Sequence, residues 1–373
     1  MKILYITTST EMGGAEKVLE RLALQTAVNH CVQIISLRPI GEIGAILQQK
    51  GIEVKSLNLK KVSWPGKIIK NLQHSINAFQ PDLIHAFLYW GIESARLACM
   101  GKNFPLICTP HFDFSKRKFY QKILDFLLKD KDQLTIAESV STANYLIKTL
   151  KYNKNKVYLL PNQVASSAFY PDKQLRKQMR RAHHYHENDL VIMQVSRLEP
   201  IKNPLVLLKA FRNLVRNCPQ ARLVYVGEGS ERTKIENFIQ ECKLENFVKL
   251  VGMQENINAW LNMADIFVLP SLEESLPLAL LEAMRVGLPC IVSHAGDMPL
   301  WVSHGENGFV FNPQDITILS CFLTELCLQP DIRRTQGEKS LKKMHSQQDT
   351  FPQYQQLYNK IQNGEFSREN TKC

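Results

Sequence analysis

The chain has 373 residues, 45% of them hydrophobic and 22% charged, with 46 Lys+Arg against 35 Asp+Glu and a formal net charge of +11. This length predicts two domains, and the composition is that of an ordinary globular protein, which argues against a disordered or fibrous chain. No run of about eighteen apolar residues offers a membrane-spanning helix, and the apolar start is too short for a signal peptide, so it reads as a first strand.

The charge is unevenly placed. Residues 1–180 hold 26 Lys+Arg against 13 Asp+Glu, whereas residues 181–373 hold 20 against 22. Two segments concentrate the excess beside aromatics: residues 60–70 around Trp64, and residues 112–122 with Lys116, Arg117, Lys118, Phe119 and Tyr120. Such mixtures suit the headgroups of an anionic leaflet. They suit nucleic acid as well, and a plain solvated basic face accounts for them too. The nine Cys include no Cys-x-x-Cys pair, so free thiols in a reducing cytoplasm are expected, not a zinc or disulfide framework.

In chain order, Lys2-Ile3-Leu4-Tyr5-Ile6-Thr7 reads as a buried strand that runs into Met12-Gly13-Gly14. A helix follows, with Val18, Leu19, Leu22 and Ala23 at helical spacing. Glycines between a first strand and first helix let backbone N–H groups approach a ligand closely, but this is no Gly-x-Gly-x-x-Gly fingerprint. Strand signals recur at 32–36, 51–54, 81–86, 106–111, 134–139 and 157–162, with helix signals at 43–50 and 68–79. This alternation predicts an α/β fold with a doubly wound parallel sheet. His85 and His111 both stand at strand ends, where a lone His is more often structural. Asp130-Lys131-Asp132 is a literal Asp-x-Asp, yet it precedes a strand within a charged run and reads as a solvated loop. Residues 171–188 are polar, basic and rich in His, as an interdomain connection would be.

A second α/β unit starts with the strand at 189–196 and continues into Arg197 and Lys202. Five residues apart beyond a strand's C-terminal edge, this Arg and Lys can converge on one diphosphate. Strands at 221–226, 248–252, 265–269 and 290–293 follow, with a helix at 205–215. Between the last two strands lies Pro270-Ser271-Leu272-Glu273-Glu274-Ser275-Leu276-Pro277-Leu278-Ala279-Leu280-Leu281-Glu282-Ala283-Met284-Arg285-Val286-Gly287. Pro277 marks a helix start and Gly287 with Pro289 a stop. Glu274 then lies in the loop and can fold back over the helix's N-terminus, an anion site suited to phosphate. One carboxylate at each end, Glu274 and Glu282, would accept hydrogen bonds from neutral hydroxyls. A solvated acidic loop beside a helix-face Glu is the plainer alternative.

Pro270-Ser271-x-x-Glu274-Ser275-x-Pro277-x-x-Leu280-x-Glu282-Ala283-Met284, followed by Gly287-Leu288-Pro289, resembles the Glu-x7-Glu signature of the retaining glycosyltransferases of family 4. Gly13-Gly14, the contexts of His85 and His111, Arg197 to Asn203, residues 295–299 and residues 304–309 also track that family. Pro161-Asn162-Gln163-Val164-Ala165 departs from its Pro-Asn-Gly-Val-Asp, and Ser196 replaces a Gly. The resemblance implies the GT-B fold, two Rossmann-like doubly wound parallel-sheet domains facing a central cleft. Residues 1–170 with a crossover helix at about 354–373 would form the acceptor side, and residues 171–353 the nucleotide-sugar side.

It further implies a retaining hexosyltransferase using a UDP- or GDP-sugar, with Glu282 on the ribose, Arg197 and Lys202 on the diphosphate and Glu274 on the sugar. The backbone of Ser275, Leu276, Pro277 and Leu278 would cap the phosphate, and Gly252 would lie near the base. Gly13, Gly14 and His111 would shape the sugar and acceptor side, so Glu274, His111, Arg197 and Lys202 carry the chemistry. Neither a metal nor a cofactor is expected. The acceptor would be a lipid-linked glycan or lipopolysaccharide precursor, met by a peripheral protein at the anionic inner face of the cytoplasmic membrane. A non-catalytic sugar-nucleotide-binding module and, further off, a basic nucleic-acid-binding protein are the alternatives.

Overall fold

The computed structural model describes residues 1–60, 66–111, 117–347 and 349–365. The chain divides into two compact units, Met1–Asn162 with Thr350–Cys373, and Gln163–Asp349. Of the basic stretches at 60–70 and 112–122, residues 61–65 and 112–116 lie outside the described residues. No helix among the described residues is long and apolar enough to cross a membrane.

The first unit alternates β1 (Lys2–Thr7), α1 (Gly14–Ala27), β2 (Cys31–Ser36), α2 (Glu42–Gln49), β3 (Glu53–Ser56), α3 (Gly66–Phe79), β4 (Leu83–Phe87) and α4 (Tyr89–Ala98). It continues with β5 (Leu106–Thr109), α5 (Phe119–Leu128), β6 (Leu134–Ala137), α6 (Val140–Asn144) and β7 (Val157–Leu159). The sheet is parallel in the order β3-β2-β1-β4-β5-β6-β7. Successive side chains of a strand face opposite sides: Ile3 and Tyr5 enter one core, Leu4 and Ile6 the other.

The second unit holds α7 (Lys173–Ala182), β8 (Leu190–Val195), α8 (Pro204–Val215), β9 (Ala221–Val226), α9 (Arg232–Glu241), β10 (Val248–Leu250) and α10 (Ile257–Met263). Then come β11 (Ile266–Leu269), α11 (Leu278–Val286), β12 (Cys290–Ser293), α12 (Met298–Trp301), β13 (Gly308–Phe311), α13 (Ile316–Leu328) and α14 (Pro330–His345). Its parallel sheet runs β10-β9-β8-β11-β12-β13. The helix α15 (Phe351–Gln362) returns to the first unit, where Tyr354, Leu357, Tyr358 and Ile361 join the core of Ile3 and Tyr5. His85 fixes it there. Fully buried, it shares hydrogen bonds with Tyr358 Oη through Nδ1 (2.7 Å) and with Thr109 Oγ1 through Nε2 (2.8 Å), and burial holds its pKa well below the usual imidazole range.

Two stretches differ from the sequence reading. Residues 173–182, expected as a connection, form α7: Arg176 and Arg180 both pair with Asp265, at 2.6 and 2.5 Å, and Asp265 in turn accepts the N–H of Val191 (2.8 Å). In a helix so polar these arginines supplement the little apolar contact there is, that of Met179 with the core. Asp132 is not in a solvated loop but 1% exposed. It accepts a fork from Arg96, Nε to Oδ1 at 2.8 Å and Nη2 to Oδ2 at 2.5 Å. Arg96 also donates to Glu93 (2.9 Å), Asp125 (2.8 Å) and the Tyr152 hydroxyl (2.9 Å), so one guanidinium joins α4, α5 and the turn before β6.

Burial pushes the Glu93 carboxyl up to about 8 despite Arg96 beside it. The folded state therefore holds a proton that the unfolded chain releases near its ordinary 4.5. This contribution to stability is complete below that value and is lost as pH rises through about 8. The difference in urea midpoint between Glu93→Gln and the native chain should accordingly move in the variant's favour from pH 6 to pH 9. Arg96→Ala, which strands buried carboxylates, should cost about 3–5 kcal/mol in the same denaturation.

Candidate functional site

In the second unit the strand order reverses between β8 and β11, with β9 and β10 to one side and β12 and β13 to the other. Loops leaving the C-terminal ends of such a pair diverge, and ligands of doubly wound sheets bind there. The β8 loop bears Arg197 and Lys202; the β11 loop bears Ser271, Glu274, Ser275, Leu276 and Pro277. They are stitched together. Leu272 N–H donates to Ile201 O (2.8 Å), and Asn203 Nδ2 donates to Pro270 O (3.2 Å) and Pro313 O (2.8 Å).

At the centre Lys202 Nζ donates to Glu274 Oε1 at 2.6 Å, and the same oxygen accepts from Ser271 Oγ at 2.7 Å. The sequence reading gave Lys202 to a diphosphate and Glu274 to a sugar; the fold joins them to each other. With only 8% of the Glu274 side chain exposed, an unpaired carboxylate there would be costly to desolvate. Ser271 is placed in turn by Ser293 Oγ, which donates to its carbonyl (2.5 Å).

Arg197 is exposed, and among the described residues its guanidinium makes no hydrogen bond or ion pair. Its backbone is nevertheless fixed on both flanks: Ser196 N–H donates to Val226 O (3.1 Å) and Leu198 N–H to Glu228 O (2.7 Å). Gly227, at φ +139°, allows this, since a Cβ there would lie 2.0 Å from Ser196 O. The Gly227 N–H also donates to Gly252 O at 2.8 Å, which brings Gly252 alongside this turn.

The helix α11 begins after Pro277 with no side-chain cap and no acidic residue in its first turn, and it ends at Gly287 in the left-handed conformation (φ 84°). Its uncapped N–H groups and dipole favour an anion. Glu282, half-buried, lies about 6 Å further along the axis than Leu278. Behind the β11 loop sits Gly296, at φ +53°, where a Cβ would fall 2.1 Å from Glu274 O and 2.5 Å from Ser275 O.

The first unit holds the other predicted residues. Gly13 and Gly14 lead into α1, but Glu16 stands in its first turn and accepts from Ser9 Oγ (2.6 Å). A carboxylate at that helix start disfavours phosphate and suits a neutral hydroxyl-bearing ligand. His111 is 8% exposed, at φ 34°, with its ring stacked 5.7 Å from Phe87. Its Nε2 is buried without a partner among the described residues. Burial pushes its pKa down and Glu138 pulls it up, with the net effect downward, so the ring is neutral at neutral pH. Sequence reasoning passed over Glu138, whose only signal was its place just beyond β6. It is 1% exposed and accepts from Thr142 Oγ1 at 3.0 Å.

Known proteins resemble both units. Residues 12–167 match the model of Glycosyltransferase Family 4, and residues 176–343 that of Glycosyl transferases group 1. N-acetyl-alpha-D-glucosaminyl L-malate synthase of Bacillus anthracis is 26% identical over 63% of this chain and 61% of its own length. UDP-Gal:alpha-D-GlcNAc-diphosphoundecaprenol alpha-1,3-galactosyltransferase of Escherichia coli is 34% identical over 46% of this chain and 45% of its own. The matched stretches thus span less than two thirds of these relatives' lengths. Among solved structures, Anabaena HepE in complex with UDP-glucose superimposes with a TM-score of 0.87 at 21% identity, covering 97% of this chain and 100% of that one.

Gly296→Ala should displace the β11 loop and lower stability by about 2–4 kcal/mol in urea denaturation, from positive-φ strain and overlap together. Gly14→Ala, where a Cβ meets nothing within 4 Å, should stay within about 1 kcal/mol of the native chain.

Proposed function

This chain carries a family 4 glycosyltransferase domain followed by a group 1 glycosyl transferase domain, of GT-B fold, and from that premise we propose that it moves a hexose from a UDP-sugar to a lipid-linked glycan with retention of configuration. The observation that carries the reading is the convergence of the Arg197–Lys202 loop, the Glu274 loop and the uncapped start of α11 where the second sheet reverses. The UDP-glucose bound by HepE and the diphosphoundecaprenol in the name of the Escherichia coli relative support the two substrate classes.

In this reading the diphosphate lies over the start of α11, against the backbone of Ser275 to Leu278. Arg197 and Lys202 neutralise the charge that grows on it as the sugar leaves, an electrostatic mechanism that requires no protein nucleophile. Glu274, already holding Lys202, accepts hydrogen bonds from sugar hydroxyls through its remaining lone pairs, and Glu282 accepts from the ribose. Gly252 lies near the base. His111, neutral and with its Nε2 unpartnered among the described residues, hydrogen-bonds a sugar or acceptor hydroxyl beside Gly13 and Gly14. With two cations on the diphosphate, neither metal nor cofactor is required, and the acceptor is met at an anionic membrane face.

A thermal melt with UDP and UDP-glucose tests the reading. Saturation at a hundred times Kd adds about 2.7 kcal/mol to native stability, a rise of about 5–10 °C for a domain of this size. The shift should survive EDTA. Arg197→Ala should weaken binding about tenfold to a hundredfold, the worth of charge-assisted hydrogen bonds. Stabilisation by GDP-sugars alone would change the donor, and binding without transfer to any lipid-linked glycan would leave a binding module.

A further inference from the structure

The helix α5 is apolar on both of its faces. Inward, Leu128 is buried and Leu124 half-buried beside the buried Asp125, which is held by Arg96 and by the Tyr152 hydroxyl (2.6 Å), and the Tyr89 hydroxyl donates to Gln121 O (3.0 Å). Outward, Phe119 is 80% exposed, Tyr120 50%, Ile123 44%, Phe126 59% and Leu127 67%. At about 100° per residue these five side chains share one arc of about 120°. Seventeen large hydrophobic side chains are exposed among the described residues, and five of them are on this one helix of ten residues. Scattered apolar residues need no explanation, but a contiguous patch marks an interaction surface.

The charges around the patch have one dominant sign. Lys118 and Lys122 are exposed along one side of the arc and Lys131 is exposed in the turn beyond the helix, against Asp130 as the exposed acid nearby. The first 180 residues carry 26 Lys+Arg and 13 Asp+Glu, so the wider field is positive as well. Aromatic and aliphatic side chains on one stripe with lysines at its border are the pattern of a helix that lies in a membrane interface, where rings enter the boundary region and ammonium groups meet anionic headgroups. A second copy docked through the same patch would instead set like charges around a shared apolar centre.

We propose that α5 is a membrane-docking helix that lies flat on an anionic bilayer, with Phe119, Tyr120, Ile123, Phe126 and Leu127 in the interface and Lys118, Lys122 and Lys131 on anionic headgroups. The Arg96 network gives the helix a rigid footing, since Asp125 is tied to α4 and to the turn that holds Asp132. This deepens the proposed function by naming the surface that meets the membrane, but it rests on α5 alone and not on the donor site.

The test is co-sedimentation of the full chain with phosphatidylglycerol-containing vesicles and with pure phosphatidylcholine vesicles, at low and high salt. Strong binding to the first, weak binding to the second and loss at high salt are expected. Lys118→Ala with Lys122→Ala should lower the partition coefficient about thirtyfold, at about 1 kcal/mol per lysine. Phe119→Glu with Leu127→Glu should lower it at least about tenfold. Both double variants change exposed side chains, and an unaltered UDP-induced melting shift verifies that they fold. No sedimentation with anionic vesicles overturns the proposal, as does binding that survives Phe119→Glu with Leu127→Glu. Self-association removed by the same substitutions, without lipid binding, overturns it in favour of a second copy. A chain that binds UDP-glucose but ignores vesicles refutes the docking helix and leaves the proposed function standing.

Discussion

The candidate site depends on a single ion pair between two loops. Lys202 and Glu274 are 72 residues apart and lie 2.6 Å from each other in a place where neither is well solvated. Charges so placed are costly to bury singly, and the strength of the pair grows as water is excluded. It cannot form unless the β8 loop and the β11 loop leave neighbouring strands at the same edge. The backbone bond from Leu272 to Ile201 and the side-chain amide of Asn203 serve the same end, because they tie the two loops to each other independently of the ion pair. The β8 loop that carries Lys202 also carries Arg197, and the β11 loop that carries Glu274 leads into the start of α11.

Arginines at carboxylates recur as the means by which this fold holds polar segments. Arg96 gathers Glu93, Asp125, Asp132 and Tyr152 in the first unit, and Arg176 and Arg180 share Asp265 in the second. In each case a planar guanidinium meets several acceptors at once, which an ammonium cannot match. In α7 the effect is to pin a helix that has little apolar surface of its own to bury. On α5 a carboxylate stands on the inward face, which leaves the outward face free to be apolar.

The two units place their polar edges to different uses. In the second, cations and a helix start free of acidic residues favour a phosphate-bearing ligand. In the first, Glu16 and Glu138 with a neutral His111 favour hydroxyls.

Much of the architecture was legible in the sequence. Buried parallel strands such as Lys2–Thr7 and Cys290–Ser293 are short apolar runs with turn residues at their ends, and the stop of α11 at Gly287 is a matter of local backbone geometry. Those features are set by neighbours in the chain, so the chain alone determined them, and with them the doubly wound class of both sheets. What the sequence could not reveal was which side chains meet. Asp132 looked solvated because its partner Arg96 is 36 residues away on another helix, and residues 173–182 looked like a connection because Asp265 is 85 residues from Arg180. The open face of α5 was equally hidden, since an apolar helix reads the same whether covered or bare. Pairing across such distances is decided by strand order, and strand order is a property of the folded sheet: only the tertiary structure set Lys202 against Glu274 and left Phe119 and Leu127 facing outward.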